Sequence, residues 1–232
     1  MRYRAVFFDA GETLVHPAPS FPELFAQVLE REGHRVLPGD VLAASRAVTA
    51  RFSEASRDGS LWTTSPERSR AFWSSVYVAM LGELGLPSQD GLRDSLYGAF
   101  TDRANYTLFD DVRSVLDGLA SEGYTLGLVS NFEAWLDDLL ADLGVRDAFA
   151  VRVISGNEGM EKPDPRIYRL ALGRAGVDAA DAVYVGDNPE FDIDPPAALG
   201  MFPVLIDRRE RHGDHVGARI TDLTQLSEVL HA

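Results

Sequence analysis

The segment "FFDAGETLV", Phe7–Val15, begins as a buried strand and ends in an acid followed by a turn. Apolar residues run up to Asp9, and Gly11 and Glu12 then interrupt the run. This pattern is typical of a strand that delivers a carboxylate to the edge of a sheet. A single acid at a strand end is more often a helix cap or turn former than a nucleophile. The role of Asp9 therefore depends on what other strands bring beside it.

Four further apolar runs share the character of this first strand. They lack strict alternation of polar and apolar residues, which indicates strands buried on both faces of a parallel sheet. The predicted strands lie at residues 3–9, 125–131, 150–155, 182–187 and 202–207. Helical patterns lie between them, at residues 110–123, 132–144, 164–176 and 195–200. Strands that alternate with helices predict an α/β fold with a Rossmann-like, doubly wound parallel sheet.

Residues 16–105 carry no convincing strand pattern. Their apolar periodicity predicts helices at residues 21–32, 38–56, 66–85 and 89–105. The simplest arrangement inserts these helices after the first strand as an all-helical cap. We therefore expect a Rossmann-like core of residues 1–14 and 106–232, with a cap of residues 15–105.

The composition restricts partners and location. The 232 residues carry 22 basic and 36 acidic side chains, a net charge of −14, and no cysteine. This balance argues against binding to nucleic acid or to an anionic membrane, because either partner needs a basic surface. The apolar run in "MRYRAVFFDA" is too short for a secretory signal, and no segment reaches the roughly 18 apolar residues of a membrane span. We expect a cytoplasmic protein, and the sequence does not decide between a monomer and a dimer.

Residues suited to catalysis follow three of the predicted strands and lie in one loop. They are Asp9, Ser130, Asn131, Lys162, Asp187 and Asp192. Lys162 is the only lysine beside 21 arginines, which raises the question of what a compact ammonium does there. In such sheets ligands bind beyond the carboxyl ends of the strands. We therefore expect these side chains to converge on one site.

Four motifs, in this order, resemble those of the haloacid dehalogenase-like hydrolase superfamily. They are "FFDAGETL", "LGLVSN", "EKPDPRIY" and "YVGDNPEFDIDPPAALGM". The resemblance covers the whole predicted core, and the helical insertion occupies the place of the family's first type of cap. Within the superfamily, "VSNF", "KPDPRI" and "VGDN" resemble the branch of the haloacid dehalogenase-like hydrolase domain-containing protein 3. That likeness implies the fold more directly than it implies a reaction.

The resemblance implies a role for each motif residue. Asp9 would be the nucleophile that forms a covalent intermediate, and Ser130 and Lys162 would stabilise the transferred group. Contacts to the substrate would come from Gly11, Glu12, Ser130, Asn131 and Lys162. A magnesium ion would be held by Asp9, the Gly11 carbonyl, Asp187 and Asp192, a set of oxygen ligands that suits Mg²⁺.

The first motif departs from the pattern of the family's phosphatases. Gly11 stands where they have a second aspartate, which protonates the leaving alkoxide and then deprotonates the attacking water, and Glu12 stands in place of their usual glycine. Losing that acid should cost about 10²–10⁴-fold in rate when the leaving group needs a proton. Along an extended turn, Glu12 lies at an odd offset from Asp9 and is expected to point away from it.

Three functions remain open from the sequence. The leading hypothesis is a Mg²⁺-dependent phosphatase that acts on a small phosphorylated molecule through an Asp9 phosphoenzyme. A 2-haloacid dehalogenase also needs no acid at Gly11, although that branch lacks the acidic fourth motif. A module that binds phosphorylated ligands or proteins without turnover is the third. A phosphonate-cleaving enzyme is excluded because the cap contains no lysine for a Schiff base.

Overall fold

The computed structural model describes residues 2–59 and 61–231. The chain divides into two compact units. The core unit comprises Met1–Val15 and Leu108–Ala232, and the helical unit comprises His16–Thr107. In the described part of the chain, no helix combines the length and the apolar character that crossing a membrane requires.

In the described residues, the core unit alternates short strands with helices, and residues 21–101 of the helical unit contribute five helices. The strands are β1 (Ala5–Phe8), β2 (Val15–Pro17), β3 (Tyr106–Leu108), β4 (Thr125–Ser130), β5 (Val151–Ile154), β6 (Ala182–Gly186), β7 (Phe202–Ile206) and β8 (Ala218–Ile220). The helices are α1 (Phe21–Arg31), α2 (Pro38–Ala44), α3 (Arg46–Asp58), α4 (Pro66–Glu83), α5 (Asp90–Thr101), α6 (Val112–Ser121), α7 (Leu136–Asp142), α8 (Ser155–Glu158), α9 (Pro165–Ala175), α10 (Asp194–Ala198) and α11 (Leu226–His231).

Six of the strands form one parallel sheet in the order β5-β4-β1-β6-β7-β8. The predicted α/β fold with a Rossmann-like parallel sheet and an inserted helical segment is confirmed. The prediction missed β8, whose three residues include Arg219 and give too short an apolar run to recognise. It also missed β2 and β3, which form a separate two-stranded sheet.

Strand β1 lies in the middle of the sheet, and every one of its side chains is buried. The chain first builds β4 and β5 on one side of β1, then crosses to build β6, β7 and β8 on the other. The strand order therefore reverses at β1, the position at which open α/β sheets bind their ligands. Asp9 continues from this strand, and its N–H donates to the Val185 carbonyl at 2.9 Å.

The helical unit is organised by caps and a buried aromatic core. Ser20 caps α1 by accepting from the N–H of Glu23, and its hydroxyl donates to the Glu23 carboxylate at 2.6 Å. Ser20 therefore supplies a partner to an N–H of the first helical turn that has none within the helix. In the core of the unit, the ring of Phe25 packs against Tyr77 and Phe100.

One predicted helix, at residues 38–56, is in fact two. The helix is interrupted at Ser45, between α2 and α3. The hydroxyl of Ser45 donates to the Leu42 carbonyl at 2.7 Å, and its N–H also points back to Leu42. Serine competes in this way with the regular helical hydrogen bonds. The apolar periodicity does not reveal this interruption, and the sequence therefore predicted one helix.

Gly127 provides a test of the packing around β1. It pairs with Phe7 in the register of β4 and β1, and a Cβ built on Gly127 would overlap the Phe7 ring. We expect Gly127→Ala to lower the free energy of unfolding by about 1–3 kcal/mol, because the ring has to move within a packed core. Urea unfolding of the purified protein measures this change.

The matched control is Gly118→Ala in α6, where a Cβ would meet no atom within 4 Å. Alanine is favoured over glycine inside a helix, so this substitution should stabilise the protein by about 0.5–1 kcal/mol. Equal effects of the two substitutions would contradict the packing described for β1.

Candidate active site

Asp9 lies at the carboxyl end of β1 and is buried. The hydroxyl of Ser130, the last residue of β4, donates to its Oδ1 at 2.9 Å. The ammonium of Lys162 donates to the same oxygen at 2.7 Å. No donor among the described residues reaches the other oxygen, Oδ2. Two donors thus fix the orientation of the carboxylate and leave one oxygen available for chemistry.

Lys162 uses all three of its N–H donors. They reach Asp9 at 2.7 Å, the Asp192 Oδ1 at 2.6 Å and the hydroxyl of Tyr184 at 3.2 Å. An ammonium carries three donors around one atom, whereas a guanidinium is planar and larger. This geometry explains why the chain, which otherwise uses arginine, has a lysine at this position.

The loop that carries Lys162 is held by the side chain of Asn131. The Asn131 Nδ2 donates to the Lys162 carbonyl at 2.8 Å, and its Oδ1 accepts from the Lys162 N–H at 2.7 Å. This pair of hydrogen bonds imitates one step of a strand pairing. The structure thus gives Asn131 a contact that positions Lys162, and its predicted contact with the substrate stays a prediction.

Asp192 lies in a π-helical turn, Pro189–Ile193, just beyond β6. Its Oδ2 accepts from the N–H of Asn188 at 3.0 Å, while its Oδ1 accepts from Lys162. A Cβ built on Gly186 would overlap the Asp192 carboxyl group. The last residue of β6 must therefore be glycine for the carboxylate to approach the main chain so closely.

Three carboxylates converge at this edge of the sheet. Asp9, Asp187 and Asp192 each present an oxygen, and these oxygens lie within 4.8 Å of one another. Burial, with the nearby carboxylates of Asp192 and Asp9, raises the pKa of Asp187 well above its usual range. Burial also raises the pKa of Asp192 to about 6, although Lys162 lowers it. Burial and the repulsion between the carboxylates therefore both favour proton uptake by Asp187 and Asp192.

The charge on Lys162 is secured by the same carboxylates. Burial lowers its pKa, but Asp192 and Asp9 raise it by more, so the pKa lies above its usual range. The side chain is only 3% exposed. The two carboxylates that Lys162 contacts therefore favour its charged form.

The loop after Asp9 differs from the extended turn expected from the sequence. The Ala10 carbonyl accepts from the N–H groups of Leu14 and Val15 at 2.8 and 2.9 Å, so the chain curls tightly. Glu12 sits at its centre with a left-handed backbone, φ 56°, and its carboxylate pairs with Arg209 at 2.6 Å. Because the turn is not extended, the direction of the Glu12 side chain does not follow from its odd offset from Asp9. Glu12 also contributes to the raised pKa of Asp187.

Gly11 is not crowded in this loop. A Cβ built on it would meet no atom within 4 Å, and its backbone is not left-handed. Neither steric contact nor backbone conformation requires glycine at this position. The absence of a side chain is thus a chemical feature of the site and not a demand of the fold.

The structure brings together Asp9, Ser130, Lys162, Asp187 and Asp192 from different segments of the core unit. Sequence reasoning missed Tyr184, whose hydroxyl accepts from Lys162 and donates to the Val129 carbonyl at 2.7 Å. In the sequence, Tyr184 looks like any other buried residue of the apolar β6 segment. The only available signal was that a buried tyrosine hydroxyl needs a partner.

The raised pKa of Asp192 predicts how the free energy of unfolding depends on pH in the metal-free protein. Its ordinary pKa is near 3.8 and its pKa in the fold is about 6. The folded state thus holds the proton more tightly, and stability should fall as pH rises from about 4 to about 7, on the order of 2 kcal/mol. Urea unfolding in a chelator, at a series of pH values, measures this fall.

Asp192→Asn provides the control for that measurement, because the amide does not titrate. The fall should be smaller in this variant and the remainder should reflect Asp187. Stability that rises over the same interval, or an identical fall in both proteins, would contradict the description of the cluster.

The chain is similar to known proteins over most of its length. A sequence model described as haloacid dehalogenase-like hydrolase matches residues 3–200. The haloacid dehalogenase-like hydrolase domain-containing protein 3 of Mus musculus is 28% identical over 209 residues, 89% of this chain and 82% of that protein. A phosphoserine phosphatase of Thermus thermophilus is 29% identical over 220 residues, 93% of this chain and 81% of that protein.

Among solved structures, a 2-haloacid dehalogenase from Pseudomonas syringae is 28% identical. Its TM-score is 0.61, and the match covers 99% of this chain and 98% of that one. The resemblance drawn from the four motifs, including that to the domain-containing protein 3 branch, is confirmed. The chain belongs to the haloacid dehalogenase-like hydrolase family.

Proposed function

We propose that this hydrolase is a Mg²⁺-dependent phosphatase that acts on a small phosphorylated molecule through a phosphoenzyme at Asp9. The observation that carries the proposal is the state of the Asp9 carboxylate. Ser130 and Lys162 both donate to its Oδ1, and no described donor occupies Oδ2. An oriented carboxylate with one unengaged oxygen is suited to nucleophilic attack.

The residues at this edge of the sheet fit a magnesium ion. The donors are carboxylate oxygens of Asp9, Asp187 and Asp192 within 4.8 Å of one another, and hard oxygen ligands are those that Mg²⁺ prefers. Asp187 accepts no hydrogen bond from the described residues, whereas both oxygens of Asp192 do. Asp9, Asp187 and the Gly11 carbonyl would hold the ion, with Asp192 ligating directly or through water. The ion would reduce the repulsion between these carboxylates and a phosphate dianion.

The remaining chemistry belongs to residues of this chain. Oδ2 of Asp9 would attack phosphorus while the bond to the leaving oxygen breaks and that oxygen takes the electron pair. Ser130 and Lys162 both donate to the Oδ1 of Asp9, and on substrate binding these donors would turn from Oδ1 to the oxygens of the transferring group. Water would then attack phosphorus, the bond between phosphorus and Oδ2 would break with its electron pair returning to the Asp9 carboxylate, and the proton of the water would leave with the phosphate or pass to solvent.

Gly11 restricts the substrates for which this chemistry is fast. It carries no group that can protonate a leaving alkoxide, a step usually worth about 10²–10⁴-fold. Aryl and acyl phosphates expel stable anions that need no proton. We therefore propose that substrates with such leaving groups turn over well and that alkyl phosphates turn over poorly. The Thermus relative is named a phosphoserine phosphatase, which supports phosphoryl transfer as the reaction type.

Halide displacement from a 2-haloacid is the alternative that Gly11 favours, since halide needs no proton. The structural relative from Pseudomonas syringae carries that name. A 2-haloacid, however, brings its own carboxylate to a site that already holds Asp9, Asp187 and Asp192 beside one lysine. Without a metal that approach is electrostatically unfavourable. Halide release in the presence of a chelator would favour the alternative over the phosphatase.

Removing the nucleophile tests the proposed reaction. Asp9→Asn should reduce Mg²⁺-dependent hydrolysis of p-nitrophenyl phosphate on the order of 10⁴-fold or more, because an amide oxygen cannot form the intermediate. Asp194→Asn, in the first turn of α10, is a control of the same chemical kind outside the cluster. Absence of Mg²⁺-dependent turnover in the unaltered protein, or full activity of Asp9→Asn, would overturn the proposal.

Supplying the missing acid tests the role of Gly11. Because a Cβ at this position meets no atom within 4 Å, Gly11→Asp should fold normally. Its hydrolysis of an alkyl phosphate such as glycerol phosphate should increase about 10²-fold. Its formation of the phosphoenzyme from p-nitrophenyl phosphate, measured as the initial burst of p-nitrophenol, should change far less, since that leaving group needs no proton.

The comparison of the two substrates is itself the control. An equal change for both would show that Gly11→Asp alters the site in some way other than by proton transfer. No gain on the alkyl ester would contradict the account of the leaving group.

A further inference from the structure

Two adjacent arginines beyond β7 contact the loop that follows Asp9. We call residues 10–14 the first-motif loop and residues 207–211 the β7 loop. Arg208 donates from Nη2 and Nε to the Thr13 carbonyl at 2.9 and 3.2 Å. Arg209 pairs with the Glu12 carboxylate at 2.6 Å. Consecutive residues of one loop thus hold consecutive residues of the other, directly after Gly11.

The guanidinium of Arg208 is anchored in the core unit. It forms a two-pronged pair with Asp111, with Nη1 to Oδ2 and Nη2 to Oδ1 both at 2.9 Å. Its guanidinium carbon lies 3.8 Å from the centre of the Phe109 ring. The side chains of Arg208 and Asp111 are only 10% and 4% exposed. Such a buried, planar and fully directed contact is a role that lysine cannot reproduce.

The partner of Arg208 is itself fixed. Asp111 also accepts from the N–H of Leu223 at 2.7 Å. The Thr13 carbonyl is therefore connected through Arg208 and Asp111 to the main chain before α11. This chain of hydrogen bonds makes the first-motif loop part of a rigid framework, although the loop itself lies at the edge of the sheet.

The β7 loop is also organised before it reaches the first motif. The Asp207 carboxylate accepts from the N–H groups of Arg211 and His212, both at 2.8 Å. Arg219 of β8 donates to it at 2.9 Å. The loop thus presents its two arginines from a fixed turn, which reduces the entropy lost when they bind the first-motif loop.

The first-motif loop needs such support because of its backbone. Glu12 adopts φ 56°, a left-handed conformation that is unfavourable for a residue with a side chain. Strain of this kind persists where surrounding contacts hold it, and it is concentrated at functional sites. Besides the main-chain hydrogen bonds within the loop, Arg208 contacts Thr13 and Arg209 contacts Glu12.

We propose that Arg208 and Arg209 are positioning residues that hold the first-motif loop, and with it Asp9 and the Gly11 carbonyl, in the geometry that magnesium binding and phosphoryl transfer require. The inference rests on the proposed function for its effect on activity. The contacts themselves are independent of that function.

The test is Arg208→Lys, which keeps the positive charge and removes the paired hydrogen bonds to Asp111. Hydrogen exchange of the amides of residues 10–15 should become about tenfold faster or more. Mg²⁺ affinity by calorimetry, and kcat for p-nitrophenyl phosphate, should each fall about 10–100-fold, the usual effect of losing a group that orients a metal ligand. KM should change less than kcat.

Arg152→Lys is the matched control. Arg152 also joins an aspartate and a carbonyl, donating to Asp137 at 2.7 Å and to the Phe149 carbonyl at 2.9 Å. It should lower the melting temperature without faster exchange in residues 10–15 or weaker Mg²⁺ binding. If the two variants lose Mg²⁺ affinity and kcat equally, or if exchange of residues 10–15 is unchanged in Arg208→Lys, the positioning role is wrong.

A milder pair of variants applies if Arg208→Lys fails to fold. Arg209→Gln and Glu12→Gln remove the second contact and leave the buried anchor intact. Their effects on exchange should not add in the double variant, because both break the same pair. Strict additivity would overturn the assignment of Arg209.

The two proposals fail in different ways. If the unaltered protein neither binds Mg²⁺ nor hydrolyses a phosphate ester, the proposed function is wrong. Faster exchange confined to residues 10–15 in Arg208→Lys would then still support the role of Arg208 in holding the first-motif loop.

Discussion

The ammonium of Lys162, held between Asp9, Asp192 and the hydroxyl of Tyr184, is the interaction on which the rest of the site depends. Parallel strands that end at the same edge bring carboxylates together whether or not their charges are compatible. With Asp187 beside them, like charges a few ångströms apart would take up protons or spread apart. One buried cation keeps two of the three in place, and the remaining carboxylate oxygens suit the magnesium ion that we propose.

The same constraint explains why the surroundings of the site are so specific. Asn131 holds the main chain of Lys162 at both its N–H and its carbonyl. Gly186 lets Asp192 approach the backbone. Each contact limits the freedom of a charged group, and such pre-arrangement of charge is what stabilises a developing transition state most effectively. Residues such as Asn131 and Gly186, which position the charged groups, are therefore as necessary to the geometry of the site as the charged groups themselves.

The sequence was sufficient to predict where the site lies, because buried strands leave a plain apolar signature and the acids follow their ends. Asp9 and Asp187 could be located in this way, whereas Lys162 was singled out as the only lysine of the chain. Local backbone geometry could not be predicted: nothing in "DAGET" indicates that Glu12 is left-handed, since glycine would be the usual signal. Arg208 was equally hidden, because its partners are distant in the chain and a surface arginine would look the same.

The central claim is that Asp9 becomes covalently phosphorylated. The most direct measurement is mass spectrometry of peptides after the protein, turning over p-nitrophenyl phosphate with Mg²⁺, is quenched in acid. The account predicts one phosphoryl group on the peptide that contains Asp9, removed by hydroxylamine and absent without the substrate. Sustained turnover with an unmodified Asp9, or with the phosphoryl group on another residue, would contradict it.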